Sequence, residues 1–391
     1  MKRKARIIAF YLPQFHPFKE NDEWWGRGFT EWTNVGKAKP LFKGHDQPRV
    51  PADLGYYDLR LPIIREQQAE LAREAGVEGF CYWHYWFGCG KTLMSEILDE
   101  VVKTGKPDFP FCIGWANHTW TRKNWNIDGT GFRDEDLIRQ EYPGEDDVVD
   151  HFYAVLPALK DKRYITVDGK PLFLIYAPLS LKDANVFIKK WNELAKREGL
   201  KGIHFVGIEN NAAISFGGLR KHGEKELLIP ASKLFPRVFE LGFDAINSRG
   251  MVLAHSRYNK KWVSMLKMYF RGFMSNLFSI HWLVKYDYKI ISQLLFADED
   301  TKENVYPTII PNWDRSPRSG KMATIWYNNS PSAFMKQVKQ ALDIIEHKQD
   351  EHKIIFLMSW NEWAEGNYME PDIKFGKEYI YALRDVIMEL K

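Results

Sequence analysis

Two glutamates near the end of the chain have the residue type and surroundings that acid/base chemistry requires. Glu362 and Glu365 follow the apolar run 354–359 and are embedded in tryptophan. In a continuing strand their odd spacing would point them to opposite faces, but a turn at Gly366 would bring both to one cavity. Two carboxyl groups in an aromatic cavity are what acid/base chemistry on a sugar needs. The alternative, a pair of solvated surface carboxylates, is disfavoured by the flanking tryptophans.

The run 354–359 predicts a buried strand of a parallel sheet, and further segments share this character. Strands are predicted at 6–12, 77–82, 111–115, 172–176, 203–208, 243–246, 306–310 and 354–359. Helical patterns occupy most of the intervals, at 61–75, 92–104, 146–159, 184–198, 332–346 and 378–390. This alternation predicts an α/β fold, a (β/α)8 TIM barrel with long βα loops, with 1–391 as one catalytic domain. An open doubly wound sheet is the alternative, but no glycine-rich phosphate fingerprint follows the first strand.

The bulk composition is that of a globular protein. Hydrophobic residues make up 45% of the 391 residues and charged residues 27%. The formal net charge of +4 is too balanced to indicate a nucleic-acid partner. The scattered histidines predict no catalytic metal, and no cofactor is expected.

The cysteines and the N-terminus bear on the compartment. Cys81, Cys89 and Cys112 match neither a disulfide framework nor a zinc pattern, so we expect reduced thiols. The basic N-terminus leads into an apolar run that is too short for a signal peptide. A cytoplasmic location is therefore expected, with the inner face of the membrane as a variant of it.

Polar and aromatic side chains repeatedly follow the predicted strands, where such barrels keep their sites. Aromatic residues make up 15% of the chain, and their flat faces suit sugars. The predicted substrate-binding residues are Tyr11, His16, Glu31, Trp32, His84, Tyr85, Trp86, Trp115, Asn117, Trp120, Tyr176, Glu209, Asn210, Trp313, Asp314 and Asn361.

Several of these predictions have structural alternatives. Glu31 and Trp32 lie in the long segment 13–53, which has no evident secondary structure, and a loop folded over the barrel explains them equally well. His84 fits a core histidine as well as a ligand contact. His118 is weighed together with its neighbours Asn117 and Trp120, for which sugar binding is slightly favoured.

One segment interrupts the alternation. Residues 251–300 are basic and aromatic, and they predict a helical insertion between strands 6 and 7. Its part 262–284 is largely apolar but contains Lys267 and Arg271, which is wrong for a membrane-spanning helix. Peripheral membrane contact through 262–284 is one interpretation, and a lid packed on the barrel is the favoured one.

Several motifs together resemble the WbsX family, described as glycosyltransferases of bacterial surface-polysaccharide loci. They are Phe-Tyr-Leu-Pro-Gln-Phe-His at 10–16, Gly-Phe-Thr-Glu-Trp-Thr-Asn-Val at 28–35, Gln-Pro-Arg at 47–49, Trp-Ala-Asn at 115–117, and Asn-Glu-Trp-Ala-Glu-Gly at 361–366 with Glu-Pro at 370–371. That family is similar in turn to family 99 of the glycoside hydrolases, the endo-α-mannosidases and endo-mannanases, which are (β/α)8 barrels that need no metal. Their motif resembles Asn-Glu-Trp-His-Glu-Gly, so Ala364 stands where that motif has a histidine that helps to shape the sugar subsite.

The resemblance implies separate roles for the two glutamates. Glu362 would act as base on the 2-hydroxyl of the sugar, which gives a 1,2-anhydro intermediate and net retention. Glu365 would be the general acid on the leaving oxygen and the base for the second step. The residues by themselves do not distinguish the retaining from the inverting arrangement of two carboxyl groups.

We therefore expect a carbohydrate-active enzyme with a retaining-glycosidase-like site that acts on a bacterial surface polysaccharide or its oligosaccharide units. One alternative is a glycosyltransferase or transglycosylase in O-antigen, lipopolysaccharide or capsule biosynthesis, with a lipid-linked substrate. The missing signal peptide and the basic aromatic insertion favour it, whereas the lack of an obvious nucleotide-phosphate site counts against it. A non-catalytic carbohydrate-binding barrel is the third hypothesis, which the two glutamates disfavour.

Overall fold

The computed structural model describes residues 3–122, 135–214, 228–258 and 283–388. These residues form a closed barrel of eight parallel strands, as the sequence predicts. The strands are β1 (Arg6–Tyr11), β2 (Gly79–Trp86), β3 (Phe111–Trp115), β4 (Lys170–Ile175), β5 (His204–Asn210), β6 (Ala245–Arg249), β7 (Val305–Ile309) and β8 (Ile354–Leu357). Each strand pairs with the next, and β8 closes the ring on β1, with Arg6 opposite Ile354 and Ala9 opposite Leu357.

Helices occupy the connections between the strands. They are α1 (Lys19–Trp25), α2 (Glu31–Lys37), α3 (Pro62–Ala75), α4 (Ser95–Thr104), α5 (Glu145–Leu159), α6 (Ala184–Arg197), α7 (Ala231–Phe239), α8 (Met251–Tyr258), α9 (Tyr288–Ile291), α10 (Ser316–Ser319), α11 (Pro331–Ile345) and α12 (Glu378–Ile387). The longer ones are amphipathic: α6, for example, buries Phe187, Trp191 and Leu194, which recur at helical spacing. None of the helices in the described ranges has the length and apolar character needed to cross a membrane.

Short strand pairs lie around the barrel, mostly beyond the carboxyl ends of its strands. Antiparallel pairs join Trp120–Thr121 with Asp136–Ile138, Ala212–Ile214 with Leu228–Pro230, and Asn361–Glu362 with Asn367–Tyr368. Thr92–Leu93 pairs with β2, and Thr166–Val167 pairs with β4. Val284–Asp287 pairs in parallel with Thr324–Tyr327.

The long segment 13–53 has more secondary structure than its sequence indicates. It contains α1 and α2, which have seven residues each and are too short to show a helical period. At the start of α2 the Thr33 hydroxyl accepts a hydrogen bond from the Thr30 backbone N–H at 3.3 Å. In α2 this local cap, rather than the hydrophobic stripe of a longer helix, indicates where the helix begins.

The predicted helical insertion 251–300 is described only at its two ends. Its first end is α8, and its second end consists of the strand Val284–Asp287 followed by α9. Residues 259–282, on which the membrane-contact interpretation of 262–284 mainly depends, lie outside the described residues.

Candidate active site

A cavity of about 630 Å³ is lined by both Glu362 and Glu365. Its lining comes from the carboxyl ends of β2, β5 and β6 and from the segments that follow β1, β3, β4, β7 and β8. This is the end of a (β/α)8 barrel where such folds keep their sites, and the volume is typical of a small-molecule pocket.

The turn after β8 brings the two carboxyl groups to the same side. Trp363–Glu365 form a single 3-10 turn, and Gly366 closes it with a φ of +69°. A Cβ on Gly366 would lie 2.8 Å from Cβ of Asp314 and 2.9 Å from its backbone nitrogen. The left-handed conformation and this close approach together require glycine at position 366.

Neighbouring groups fix the position of this turn. The Asn361 side chain accepts a hydrogen bond from the Leu12 N–H at 2.8 Å and donates one to the Leu12 carbonyl at 3.0 Å. The Ser359 hydroxyl donates to Oε2 of Glu362 at 3.1 Å. The ends of β1 and β8 are thereby joined directly beneath the glutamates.

Arg318, on α10 after β7, bridges the two carboxyl groups. Its Nη1 atom lies 3.3 Å from Oε1 of Glu362 and 2.6 Å from Oε1 of Glu365. Since both oxygens contact the same nitrogen, they are at most about 5.9 Å apart, the sum of these two distances. Arg315 adds a second cation, with its Nε 3.1 Å from Oε1 of Glu365.

The third carboxylate around Arg318 is Glu31, the first residue of α2. Its side chain is fully buried, and its Oε1 lies 3.0 Å from Nη2 of Arg318. Burial raises the pKa of Glu31 against the opposing effect of the Arg318 charge. The guanidinium is thus held from behind by Glu31 and presents its other side to the cavity.

The pKa values of the two cavity glutamates are pushed apart. Burial and the nearby charge of Glu365 raise the pKa of Glu362 to about 7. Burial also acts to raise the pKa of Glu365, but the charges of Arg315 and Arg318 outweigh it and the pKa is lowered. A proton held by the pair therefore resides on Glu362 rather than on Glu365.

About half of the predicted site residues line this cavity. They are Tyr85, Trp120, Tyr176, Glu209, Asn210, Trp313, Glu362 and Glu365. His118, the neighbour of Asn117, lines it as well. Aromatic rings and hydrogen-bonding groups thus surround the carboxyl pair, an arrangement that suits a hydroxyl-rich ligand.

Three predicted residues face the helices instead, and for the two on β2 the reason is that this strand extends to Trp86 rather than ending at Tyr82. Side chains alternate along a strand, so Trp83 and Tyr85 line the cavity whereas His84 and Trp86 point outward. His84, Trp86 and Trp115 all pack around His151 of α5, and the Nε2 atoms of the two histidines are 3.0 Å apart. For His84 the alternative of a core histidine is the better description.

Other predicted residues serve the framework of the barrel. Tyr11 donates to Gln68 at 2.7 Å, and Trp32 donates to the Tyr57 carbonyl at 2.8 Å. Further framework contacts join His16 to Glu96 at 2.6 Å, and Asn117 to the Ala177 N–H at 2.8 Å and the Ala177 carbonyl at 3.1 Å. These side chains hold the walls of the cavity but do not line it.

Asp314 and Glu31 also lie behind the lining. Asp314 is buried, and the side chains of His45 and Gln47 contact its Oδ2 at 2.9 Å and 2.8 Å. Burial acts to raise its pKa, but His45 and Arg49 outweigh this effect and lower the pKa to about 2. Asp314 therefore fastens the segment 13–53 to the turn after β8.

The sequence predictions omitted the cations of the site. Arg249, Arg315 and Arg318 line the cavity, and so does Trp83. The signal that could have found the arginines is their position: Arg249 ends β6, and the other two follow β7. Trp83 could have been found only by extending β2 by four residues.

Comparisons with known proteins agree with this picture. A family model described as Glycosyltransferase WbsX matches residues 7–383. The WxcX protein of Xanthomonas campestris pv. campestris strain B100 is 32% identical over 385 residues, which cover 98% of this chain and 50% of that protein. This chain spans about half the length of the curated relatives that it matches.

Two solved structures share the fold. A glycoside hydrolase-like protein superposes with a TM-score of 0.60 at 15% identity, covering 100% of this chain and 95% of the other. The GH99 endo-alpha-mannosidase from Bacteroides thetaiotaomicron, in complex with bis-tris-propane, gives a TM-score of 0.51 at 14% identity, covering 99% and 96%.

Proposed function

Because this chain belongs to the WbsX glycosyltransferase family, we propose that it is a carbohydrate-active enzyme that works through the carboxyl pair Glu362 and Glu365. The observation that carries this proposal is the spacing of the pair across Arg318, at most about 5.9 Å between the two Oε1 atoms. Retaining glycosidases hold their carboxyl groups roughly 5–5.5 Å apart, whereas inverting ones leave about 6.5–9.5 Å for a water. The spacing therefore supports chemistry with net retention.

The walls of the cavity support a sugar as the ligand. Aromatic side chains from five positions line it: Trp83, Tyr85, Trp120, Tyr176 and Trp313. Their rings offer flat surfaces to the apolar faces of a pyranose, and Glu209 and Asn210 offer hydrogen bonds to its hydroxyls. A bacterial surface polysaccharide, or its oligosaccharide units, is the substrate that we propose.

The proposed reaction has two steps. In the first, Glu362 takes the proton of the sugar 2-hydroxyl, O2 attacks C1, and Glu365 gives a proton to the leaving oxygen. This yields a 1,2-anhydro sugar. In the second, Glu365 takes a proton from the incoming hydroxyl, which attacks C1, and Glu362 returns its proton to O2. The two roles are those that the resemblance to family 99 implies.

The protonation of the two glutamates sets a condition on these roles. The resident proton lies on Glu362, but a base must be ionised and an acid must be protonated when the reaction starts. Glu365 is kept ionised by its contacts with Arg315 and Arg318. We therefore propose that the entering sugar displaces Arg315 from Glu365, so that the proton moves from Glu362 to Glu365.

Transfer to an acceptor is the second candidate for the overall reaction. The observation that favours it is the family itself, whose model is described as a glycosyltransferase. In that case an acceptor hydroxyl, rather than water, opens the 1,2-anhydro sugar. A lipid-linked substrate, and membrane contact through 262–284, belong to this candidate as predictions from the sequence.

Substitution of the two glutamates tests the proposal. Glu362→Gln and Glu365→Gln should each lower turnover by about 10²- to 10⁴-fold, the usual contribution of a general acid or base. The parent is first incubated with defined oligosaccharides, with and without sugar nucleotides, and the products are identified by mass spectrometry. Glu351→Gln, which removes an exposed carboxylate that pairs with Arg6, is the matched control and should keep full activity. Unimpaired turnover in either glutamate variant would refute the assignment.

A further inference from the structure

Arg249 occupies a distinctive place in the wall of the cavity, at the carboxyl end of β6. Its guanidinium carbon lies 5.3 Å from the ring centre of Phe10, 5.8 Å from that of Trp83 and 5.1 Å from that of Tyr176. Aromatic faces attract a cation in this range and also exclude water from it. The guanidinium is thus held in a cage of rings at the edge of the cavity.

Unlike the other two arginines of the cavity, Arg249 has no anionic partner among the described residues. Arg315 and Arg318 both contact Glu365, at 3.1 Å and 2.6 Å. No carboxylate of ranges 3–122, 135–214, 228–258 or 283–388 lies within ion-pair distance of Arg249, and its Nε is buried without a hydrogen-bond partner in those ranges. A partly desolvated cation without an anion is costly, so this corner of the cavity is incomplete without a ligand.

The other titratable groups nearby do not fill this role. The charge of Arg249 helps to lower the pKa of Glu365, but that carboxylate is already paired with two arginines. Burial, aided by Arg249, lowers the pKa of His118 to about 4, which keeps this imidazole neutral at physiological pH. Burial raises the pKa of Glu209, which weakens it as a counter-ion. Since no described residue balances the charge of Arg249, the local field favours a bound anion.

We propose that Arg249 binds an oxyanion carried by the glycan, a sugar carboxylate or a phosphate, and so selects acidic over neutral substrates. This inference rests on the proposed function. A guanidinium presents two parallel N–H donors that match a carboxylate or phosphate, and the ring cage fixes its orientation. Arg249 lines the same cavity as Glu362 and Glu365. The bound anion would therefore lie in the cavity that holds the reacting sugar.

Calorimetric titration of the intact chain with matched probes tests this inference. Glucuronic acid carries a carboxylate and glucose 1-phosphate carries a phosphate, whereas glucose carries neither. We expect at least one charged probe to bind about tenfold or more tightly than glucose, because a charge-assisted hydrogen bond in a shielded site is worth that much. The probe that is preferred identifies the carboxylate or the phosphate as the natural anion.

Two variants and a control separate the effect of Arg249 from general disruption. Arg249→Met keeps apolar contact with the rings and should abolish the preference, whereas Arg249→Lys keeps the charge and should reduce it severalfold. Arg384→Met removes another arginine that lies over a ring, 4.6 Å from Tyr381 on α12, and should leave the preference unchanged. Thermal unfolding of each variant checks that it is folded.

The same titration with Glu362→Gln distinguishes this inference from the proposed function. That variant should lose turnover yet keep the preference for the charged probe, because it leaves Arg249 in place. Equal binding of charged and neutral probes, absence of binding by both charged probes, or a preference that survives Arg249→Met would each overturn the inference.

Discussion

A single guanidinium organises the site at the scale of residues. Arg318 contacts Glu31, Glu362 and Glu365, and its side chain is only 9% exposed. These buried charges raise the pKa of Arg318 against the cost of burial. A buried ion network of this kind is a weak source of stability, since burial of charges costs about as much as their attraction returns. Its value here is geometric, because it sets the distance between the carboxyl groups of Glu362 and Glu365.

Glu31 should tune the acidity of Glu362. Its negative charge contributes to the raised pKa of Glu362, so Glu31→Gln should lower that pKa. Because the proposed reaction uses the proton that resides on Glu362, kcat/KM should fall as pH rises through this pKa. The falling limb of the pH profile should therefore move to lower pH in Glu31→Gln.

The control for this prediction is Glu351→Gln, which makes the same chemical change at an exposed position. Its pH profile should coincide with that of the parent protein. A limb that stays in place or moves to higher pH in Glu31→Gln would contradict the predicted influence of Glu31 on Glu362.

At the scale of elements, the site is a junction of three segments. The turn after β8 carries the glutamates, α10 carries Arg318, and α2 carries Glu31. The Asp314 N–H donates to the Glu365 carbonyl at 2.7 Å, and the Asp314 side chain binds His45 and Gln47. The segment after β1 is therefore part of the site, although none of its residues up to position 53 belongs to a barrel strand.

The turn at Gly366 should tolerate no side chain. Gly366→Ala forces a non-glycine residue into the left-handed region and places its Cβ 2.8 Å from that of Asp314. The first effect costs about 1–3 kcal/mol and the clash adds to it, because backbone atoms of Asp314 must move. We expect loss of turnover together with a lower midpoint of urea-induced unfolding.

Gly376→Ala separates the two effects. Gly376 also has a positive φ, of +49°, but its Cβ would meet no atom within 4 Å. It should therefore lose only the conformational part of the stability and keep its turnover. Equal effects of the two substitutions would show that contact with Asp314 is unimportant.

At the scale of the whole molecule, Glu370 joins parts of the chain that are far apart in sequence. Its buried carboxyl accepts hydrogen bonds from Tyr57 at 2.9 Å, from Gln68 of α3 at 2.6 Å and from Trp363 at 2.7 Å. Burial raises its pKa from 4.5 to about 7, although these hydrogen bonds act in the opposite direction. The protonation of this one group is therefore linked to global unfolding.

The contribution of Glu370 to stability should fall as pH rises through this range, whereas buried histidines such as His84 and His118, whose pKa burial lowers to about 4, act in the opposite direction. Between pH 4.5 and about pH 7 the folded protein binds more protons at Glu370 than the unfolded chain does. The contribution of Glu370 to the free energy of unfolding should therefore decrease by about 3 kcal/mol across this window and level off above it. Glu370→Gln removes this contribution, so its urea-unfolding free energy minus that of the parent should rise by about 3 kcal/mol from pH 4.5 to about pH 7.

Two comparisons make this measurement decisive. Glu351→Gln should keep the slope of the parent, because that carboxylate is exposed. Glu362, whose pKa is also about 7, titrates in both proteins and therefore cancels in the difference between Glu370→Gln and the parent. An unchanged slope in Glu370→Gln would mean that Glu370 is not protonated in the folded protein.

The amino-acid sequence by itself determined the barrel and the place of the carboxyl pair. The strands could be read from apolar runs, and the turn could be read from Gly366, because both depend on local residue spacing. The motif at 361–366 also indicated the family, which the comparison over residues 7–383 confirms.

Only the tertiary structure decided which side chains share the cavity. The direction of Tyr85 or His84 depends on where β2 ends, and a shift by one residue exchanges the two faces of a strand. The ion pairs of Arg318 join α10 to Glu31 and Glu365, which come together only when the barrel closes. Such contacts depend on the packing of distant segments, which leaves no trace in the local spacing of residues.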